Sequence, residues 1–163
     1  MAKLTIKKGS TDVTVYCFIQ ASNVTTGAGL TGLTFETANL VASYVRPLAA
    51  RAAITLATLA AADSAHSDGS FKEIDATNMP GVYRLDLPDA VCATGVPSVV
   101  VMLKGAANLA PVLMEIQLTD ADAILDEVVV GSYTLRQLVK VMAAALAGKA
   151  TGGGTTSVTF RGV

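Results

Sequence analysis

The most constraining feature of this chain is its punctuation. Between Thr5 and Leu118, short stretches rich in β-branched residues recur roughly every ten to fifteen residues, each cut off by Gly, Pro, Asn or Ser. Asp12 to Ile19 puts Val13, Val15, Cys17 and Ile19 on one side and Thr14, Tyr16 and Phe18 on the other. Both sides are apolar enough to predict a strand covered on two faces. A chain cut into pieces this short has no room for long helices, so its buried surface must come from stacked sheets.

Strands are predicted at Thr5 to Lys7 and Asp12 to Ile19, with Gly9-Ser10 as the turn between them, then at Leu33 to Phe35 and Leu40 to Arg46. Arg51 to Ala61 is rich in Ala but lacks a helix cap, and Ile54 to Leu59 alternates, so it too is read as strand. Phe71 to Ile74 follows a polar loop, Asp63 to Ser70. Met79-Pro80-Gly81-Val82 suits a type II turn, with Gly supplying the positive φ. Val82 to Leu87 then alternates cleanly, with Val82, Arg84 and Asp86 on one face and Tyr83, Leu85 and Leu87 on the other. Pro88 to Val91 suggests one helical turn. Ser98 to Lys104 reads as a central strand buried on both faces, and Val112 to Leu118 closes the set. About eight strands at this spacing predict an antiparallel β-sandwich over residues 1–118.

The pattern changes at Thr119-Asp120. Asp120 to Val130 reads as helix, with acids in its first turn. After Gly131-Ser132 a second helix is predicted from Thr134 to Ala147. Thr134-Leu135-Arg136-Gln137 opens it as a capping box and Gly148 stops it. Leu135, Leu138, Val139, Met142 and Leu146 form one apolar stripe on that helix, beside the small residues Ala143-Ala144-Ala145. Residues 119–148 are therefore a helical assembly segment. Residues 149–163 are a Gly-rich link and a terminal strand with Val158 and Phe160, for which no partner in the same chain is evident.

Three segments carry a resemblance. Gly29 to Leu33 running on to Tyr44-Val45-Arg46-Pro47, Asp75 to Pro88 around Asn78-Met79-Pro80-Gly81-Val82-Tyr83, and Val99 to Gly105 resemble segments common in structural proteins of tailed bacteriophages, among them baseplate upper proteins. The tail from Tyr133 to Arg161 is similar to phage structural modules as well. The likeness spans about residues 29 to 163. It implies an immunoglobulin-like sandwich in a virion part, and it names no catalytic residue.

Composition favours a chain that works by contact. Charged residues are 15 % of the sequence, against roughly 25 % in ordinary soluble domains, so a surface hidden by permanent partners is expected. A net charge of −1 speaks against nucleic acid. Mean hydropathy is +0.52, yet Ala52 to Ala62 and Ala90 to Leu103 are too short, or too broken by Gly95 and Pro97, to span a bilayer. No apolar run follows the N-terminal lysines, so the chain is read as soluble and made in a host bacterial cytoplasm. Cys17 and Cys92 are read as two buried thiols, although a bridge between them is possible.

Chemistry is hard to find. The single His66 lies in Asp63-Ser64-Ala65-His66-Ser67-Asp68, where adjacency alone orients no catalytic base and gathers no metal ligand set. Asp120, Asp122, Asp126 and Glu127 lack the order of a calcium loop. Gly27-Ala28-Gly29-Leu30-Thr31-Gly32 has dinucleotide-motif spacing but no helix after it. Arg84 and Asp86 read as a solvated polar face, with sugar binding as the alternative, and no Trp is present to stack a ring.

The expectation is a non-enzymatic virion subunit with no cofactor and no metal. It would act in the tail, baseplate or fibre attachment, with capsid decoration, cement or a head appendage next, and a carbohydrate- or receptor-binding module as the rival from another class. Its partners would be itself, as a homo-oligomer with a trimer favoured, and other virion proteins. The interface would be Leu135, Leu138, Val139, Met142 and Leu146, at roughly 1.5–3 kcal/mol per fully buried side chain, with Val158 and Phe160 adding to a neighbour's sheet.

Overall fold

The computed structural model describes residues 2–120, 127–147, 150–151 and 159–160. The chain divides into two compact units, Met1–Thr119 and Asp120–Val163.

The first unit holds eight strands: β1 (Ala2–Lys7), β2 (Thr14–Phe18), β3 (Val41–Val45), β4 (Ala52–Ile54), β5 (Phe71–Asp75), β6 (Met79–Asp86), β7 (Ser98–Lys104) and β8 (Val112–Thr119). A single helical turn, α1 (Asp89–Cys92), stands where Pro88 to Val91 predicted one. The strands form a five-stranded sheet in the order β1-β8-β7-β3-β4 and a three-stranded sheet in the order β2-β6-β5. Val15 and Cys17 of β2, Phe71 of β5, and Tyr83 and Leu85 of β6 join Val99, Val101, Leu103, Met114 and Ile116 in one core. β2, β7 and β8 contribute alternate residues, as a sheet with one buried face must, while β6 is buried on both faces from Tyr83 to Asp86.

The sheet is not purely antiparallel, as the sequence had suggested. β1 runs parallel to β8, pairing Ala2 with Met114 through to Lys7 with Thr119. Gly9-Ser10 does turn the chain, since Ser10 N–H donates to the Lys7 carbonyl. However, it leads β2 into the other sheet rather than into a hairpin. A strand that does not return on its neighbour is free to lie parallel to a distant one.

Three further expectations are corrected. Leu33 to Phe35 is not a strand, because side chains satisfy its backbone. Leu33 N–H donates to the Tyr83 hydroxyl at 3.1 Å, and Gly32 N–H to Glu73 Oε2 at 2.8 Å. Arg51 to Ala61 is a strand only at β4. Beyond it the chain crosses to the other sheet, where Ala57 bridges Ser70. Pro80-Gly81 is not a turn but part of β6, while residues 76–78 turn the chain around the Asp75 carboxylate. Gly81 does take the positive φ, +81°, and a Cβ there would also lie 2.5 Å from Gly29 Cα, so conformation and space both call for glycine.

β7 is central, but only Val99, Val101 and Leu103 are fully buried. Its other face, Val100 and Met102, is half-buried.

In the second unit, Val128–Val130 forms β9, which contradicts the helix predicted over Asp120 to Val130. The part of that prediction at 121–126 lies outside the described residues. Three consecutive valines favour extended backbone. Gly131, with φ +59°, turns the chain into β10 (Tyr133–Thr134). α2 (Leu135–Ala147) follows as predicted, opened by the capping box. Gln137 N–H donates to Thr134 Oγ1 at 3.2 Å and Thr134 N–H to Gln137 Oε1 at 2.9 Å. The stop at Gly148 and the glycine link lie outside the described residues. The terminal strand does find a partner in its own chain: β12 (Thr159–Phe160) pairs antiparallel with β11 (Ala150–Thr151). The rest of the predicted strand, 155–158 and 161, lies outside the described residues.

Candidate functional site

Three surfaces or clusters compete to be the site. The first is Arg84 and Asp86, which sequence placed on a solvated face. Both are buried instead. Arg84 Nε and Nη2 donate to Asp86 Oδ1 and Oδ2 at 2.8 and 2.9 Å, a bidentate pair. Thr14 Oγ1 and Ser67 N–H donate to the same carboxylate, and Arg84 Nη1 donates to the carbonyls of Ala62 and Ser64. Burial disfavours the charged carboxylate. The hydrogen bonds from Arg84, Thr14 and Ser67 outweigh that and hold Asp86 below its ordinary pKa. The pair is fully engaged in pinning the 61–70 loop over β6, so it offers nothing to a ligand.

The same loop carries His66, whose Nδ1 lies 3.3 Å from Asp12 Oδ1. Its Nε2 is buried without a hydrogen-bond partner. No serine hydroxyl among the described residues bonds to it, and no group of three His, Cys, Asp or Glu among them is placed to hold a metal. Cys17 and Cys92 are both buried and free. Burial pushes the Cys17 thiol up to about 12, which makes it a poor nucleophile at neutral pH. Tyr83, also raised to about 12, chiefly by burial, donates to the Leu30 carbonyl and stacks on Phe71 with ring centroids 4.9 Å apart.

The second surface is the outer side of β2, which sequence had read as covered. Tyr16 is 58 % exposed and Phe18 50 %. Beside them runs a groove of about 460 Å³ between β2 and the start of β8, lined by Tyr16, Phe18, Gln20, Pro111 and Leu113. It begins where Ala110 N–H donates to the Gln20 carbonyl. A second hollow, about 430 Å³, lies over the outer face between Tyr16, Ile74, Met79 and Val82. Sequence reading saw the alternation in β2 but not the open side.

The third surface is the stripe on α2. Leu135 and Leu138 lie at its start, with Leu138 half-buried. Val139 is 54 % and Met142 62 % exposed. Leu146 falls within the helix near its end. Val128, Val129, Val130 and Tyr133 of the β9–β10 hairpin are exposed too. Of the two residues expected on the terminal strand, Phe160 lies in β12 and Val158 outside the described residues.

No helix among the described residues is long and apolar enough to cross a membrane. No protein-family model, curated protein or solved structure matches the chain.

Proposed function

We propose that this chain is a non-enzymatic structural subunit of a tailed-phage particle, a tail, baseplate or fibre-attachment part that works through protein–protein contacts. The first unit is read as an immunoglobulin-like body. The second is read as the device that gathers copies, with a trimer favoured. The observation that carries this is the exposed apolar stripe at Val139 and Met142, on a helix whose capping box defines its start. A helix turning such residues to water gains from burying them against another chain. The resemblance of Asp75 to Pro88 and of the C-terminal tail to phage structural modules supplies the context. The carbohydrate-binding alternative loses its nominated residues, because Arg84 and Asp86 are buried and hydrogen-bonded to each other.

Light scattering on the full chain tests the assembly claim. The wild type is expected to have the mass of several copies, and Val139→Lys with Met142→Lys to lose it while the body's unfolding midpoint stays put. Equal masses for both chains would remove α2 from the interface. Immunoelectron microscopy of phage particles from producing cells tests the context. Label on tail or baseplate supports the reading, and label confined to the head moves the chain to capsid decoration.

A further inference from the structure

The first unit has four sheet edges, and three are guarded. β1 carries Lys7, β5 carries Lys72, Glu73 and Asp75, and β4 is only three residues long with Arg51 before it. Short strands and edge charges are how sheets avoid pairing with other chains. β2, Thr-Val-Tyr-Cys-Phe, has neither device and exposes Tyr16 and Phe18.

Its backbone geometry is equally specific. Ile19 N–H donates to the Gly81 carbonyl and Leu87 N–H to the Val13 carbonyl, so the odd-numbered residues of this strand bond to β6. Thr14, Tyr16 and Phe18 therefore point their N–H and C=O groups away from the sheet, along the open edge.

We infer that β2 pairs with β2 of a second copy, antiparallel and centred on Tyr16, joining two three-stranded sheets into one of six. That register is the one in which all three outward residues meet outward residues. Tyr16 faces Tyr16, and Thr14 faces Phe18 in both directions, for about six backbone hydrogen bonds. A small side chain opposite a large one, and an aromatic pair on the axis, suit cross-strand contact. The pairing stops at these three residues, because the outward carbonyl of Gln20 already accepts from Ala110 N–H of its own chain. A groove of about 460 Å³ runs along this edge, closed at one end by Ala110. A two-fold pairing of one patch with itself is the usual geometry of homodimers.

Amide hydrogen exchange on the full chain, read by NMR over a range of concentrations, tests this without reference to α2 or to the virion reading. The amides of Val15 and Cys17 are expected to be protected throughout. Those of Tyr16 and Phe18 should gain protection at least ten-fold as concentration rises. Tyr16→Lys and Tyr16→Glu, each alone, should abolish that gain through like charges on the axis. Mixing the two should restore it, because the introduced lysine then faces the introduced glutamate. Exposed Tyr16 and Phe18 amides at every wild-type concentration would overturn the pairing, whatever the variants do. Protection that arises only on adding another protein would overturn it too and give the edge to a foreign strand. Failure of the mixture to recover what each variant loses would overturn the register.

Discussion

The two units of this chain bury their apolar side chains to different degrees. The body buries most of its apolar residues and leaves a minority, Leu48, Met79, Leu113 and the outer side of β2 among them, in solvent. The buried ones fill one core, and even its strongest ion pair, Arg84 with Asp86, is out of water and hydrogen-bonded at nearly every donor and acceptor. The C-terminal unit leaves Val128 to Val130, Tyr133, Val139 and Met142 in solvent. The difference separates residues that hold a fold together from residues left over for something else. Within the body, β2 repeats the contrast on a small scale, with Val15 and Cys17 inside and Tyr16 and Phe18 outside.

Substitutions can break that contrast, and the largest effect belongs to the buried ion pair. Asp86→Ala leaves the Arg84 guanidinium buried without its carboxylate and is expected to destabilise the body by about 3–5 kcal/mol in urea unfolding. Replacing both residues, Arg84→Met with Asp86→Leu, should recover most of that, because no uncompensated charge remains. The same group gives a pH dependence. Asp86 has a folded pKa below its ordinary 3.8, so its contribution is complete above that value and is lost as pH falls through the folded pKa. The acid limb of the stability curve should therefore flatten in the double replacement.

Leu85→Ala removes a fully buried side chain from β6 and should cost about 2–5 kcal/mol, depending on how far the core collapses. Tyr83→Phe keeps the stack on Phe71 but strips the hydroxyl from the Leu30 carbonyl and the Leu33 N–H. About 1–3 kcal/mol is expected, with faster amide exchange confined to residues near Leu33. At the far end, Val139→Ser with Met142→Ser should shift the body's unfolding by under about 0.5 kcal/mol, since both side chains are exposed, yet reduce the mass measured by light scattering. A large loss of body stability there would mean that the stripe belongs to the fold and not to assembly.

Much of the body was legible in order and spacing. Alternation separated Val15 and Cys17 from Tyr16 and Phe18, and Tyr83 and Leu85 from Arg84 and Asp86, because period-two patterning is a local property, whereas the continuous apolar run of β7 hid that only Val99, Val101 and Leu103 face the core. The capping box at Thr134 and Gln137 was legible because its two hydrogen bonds span three residues. Arg84 and Asp86 were not. Their alternation with Tyr83 and Leu85 reads as a wet face, and only the 61–70 loop, brought from elsewhere in the chain, covers it. The exposed side of β2 was missed because Tyr16 and Phe18 look like core residues until the neighbouring strands are known.

By itself, then, the sequence determined that this chain is mainly β in its first two thirds, with one capped amphipathic helix near its end. Hydrophobic period, turn residues and caps act over a few residues, so they survive without knowledge of the fold. Only the tertiary structure decided which strands pair and in which direction, which polar residues are sealed inside, and which edge is left bare. Those outcomes depend on segments far apart in sequence meeting across the sheets. β1 beside β8 and the 61–70 loop over β6 have no local signature, because the hydrogen bonds that create them join groups that alternation and propensity cannot see.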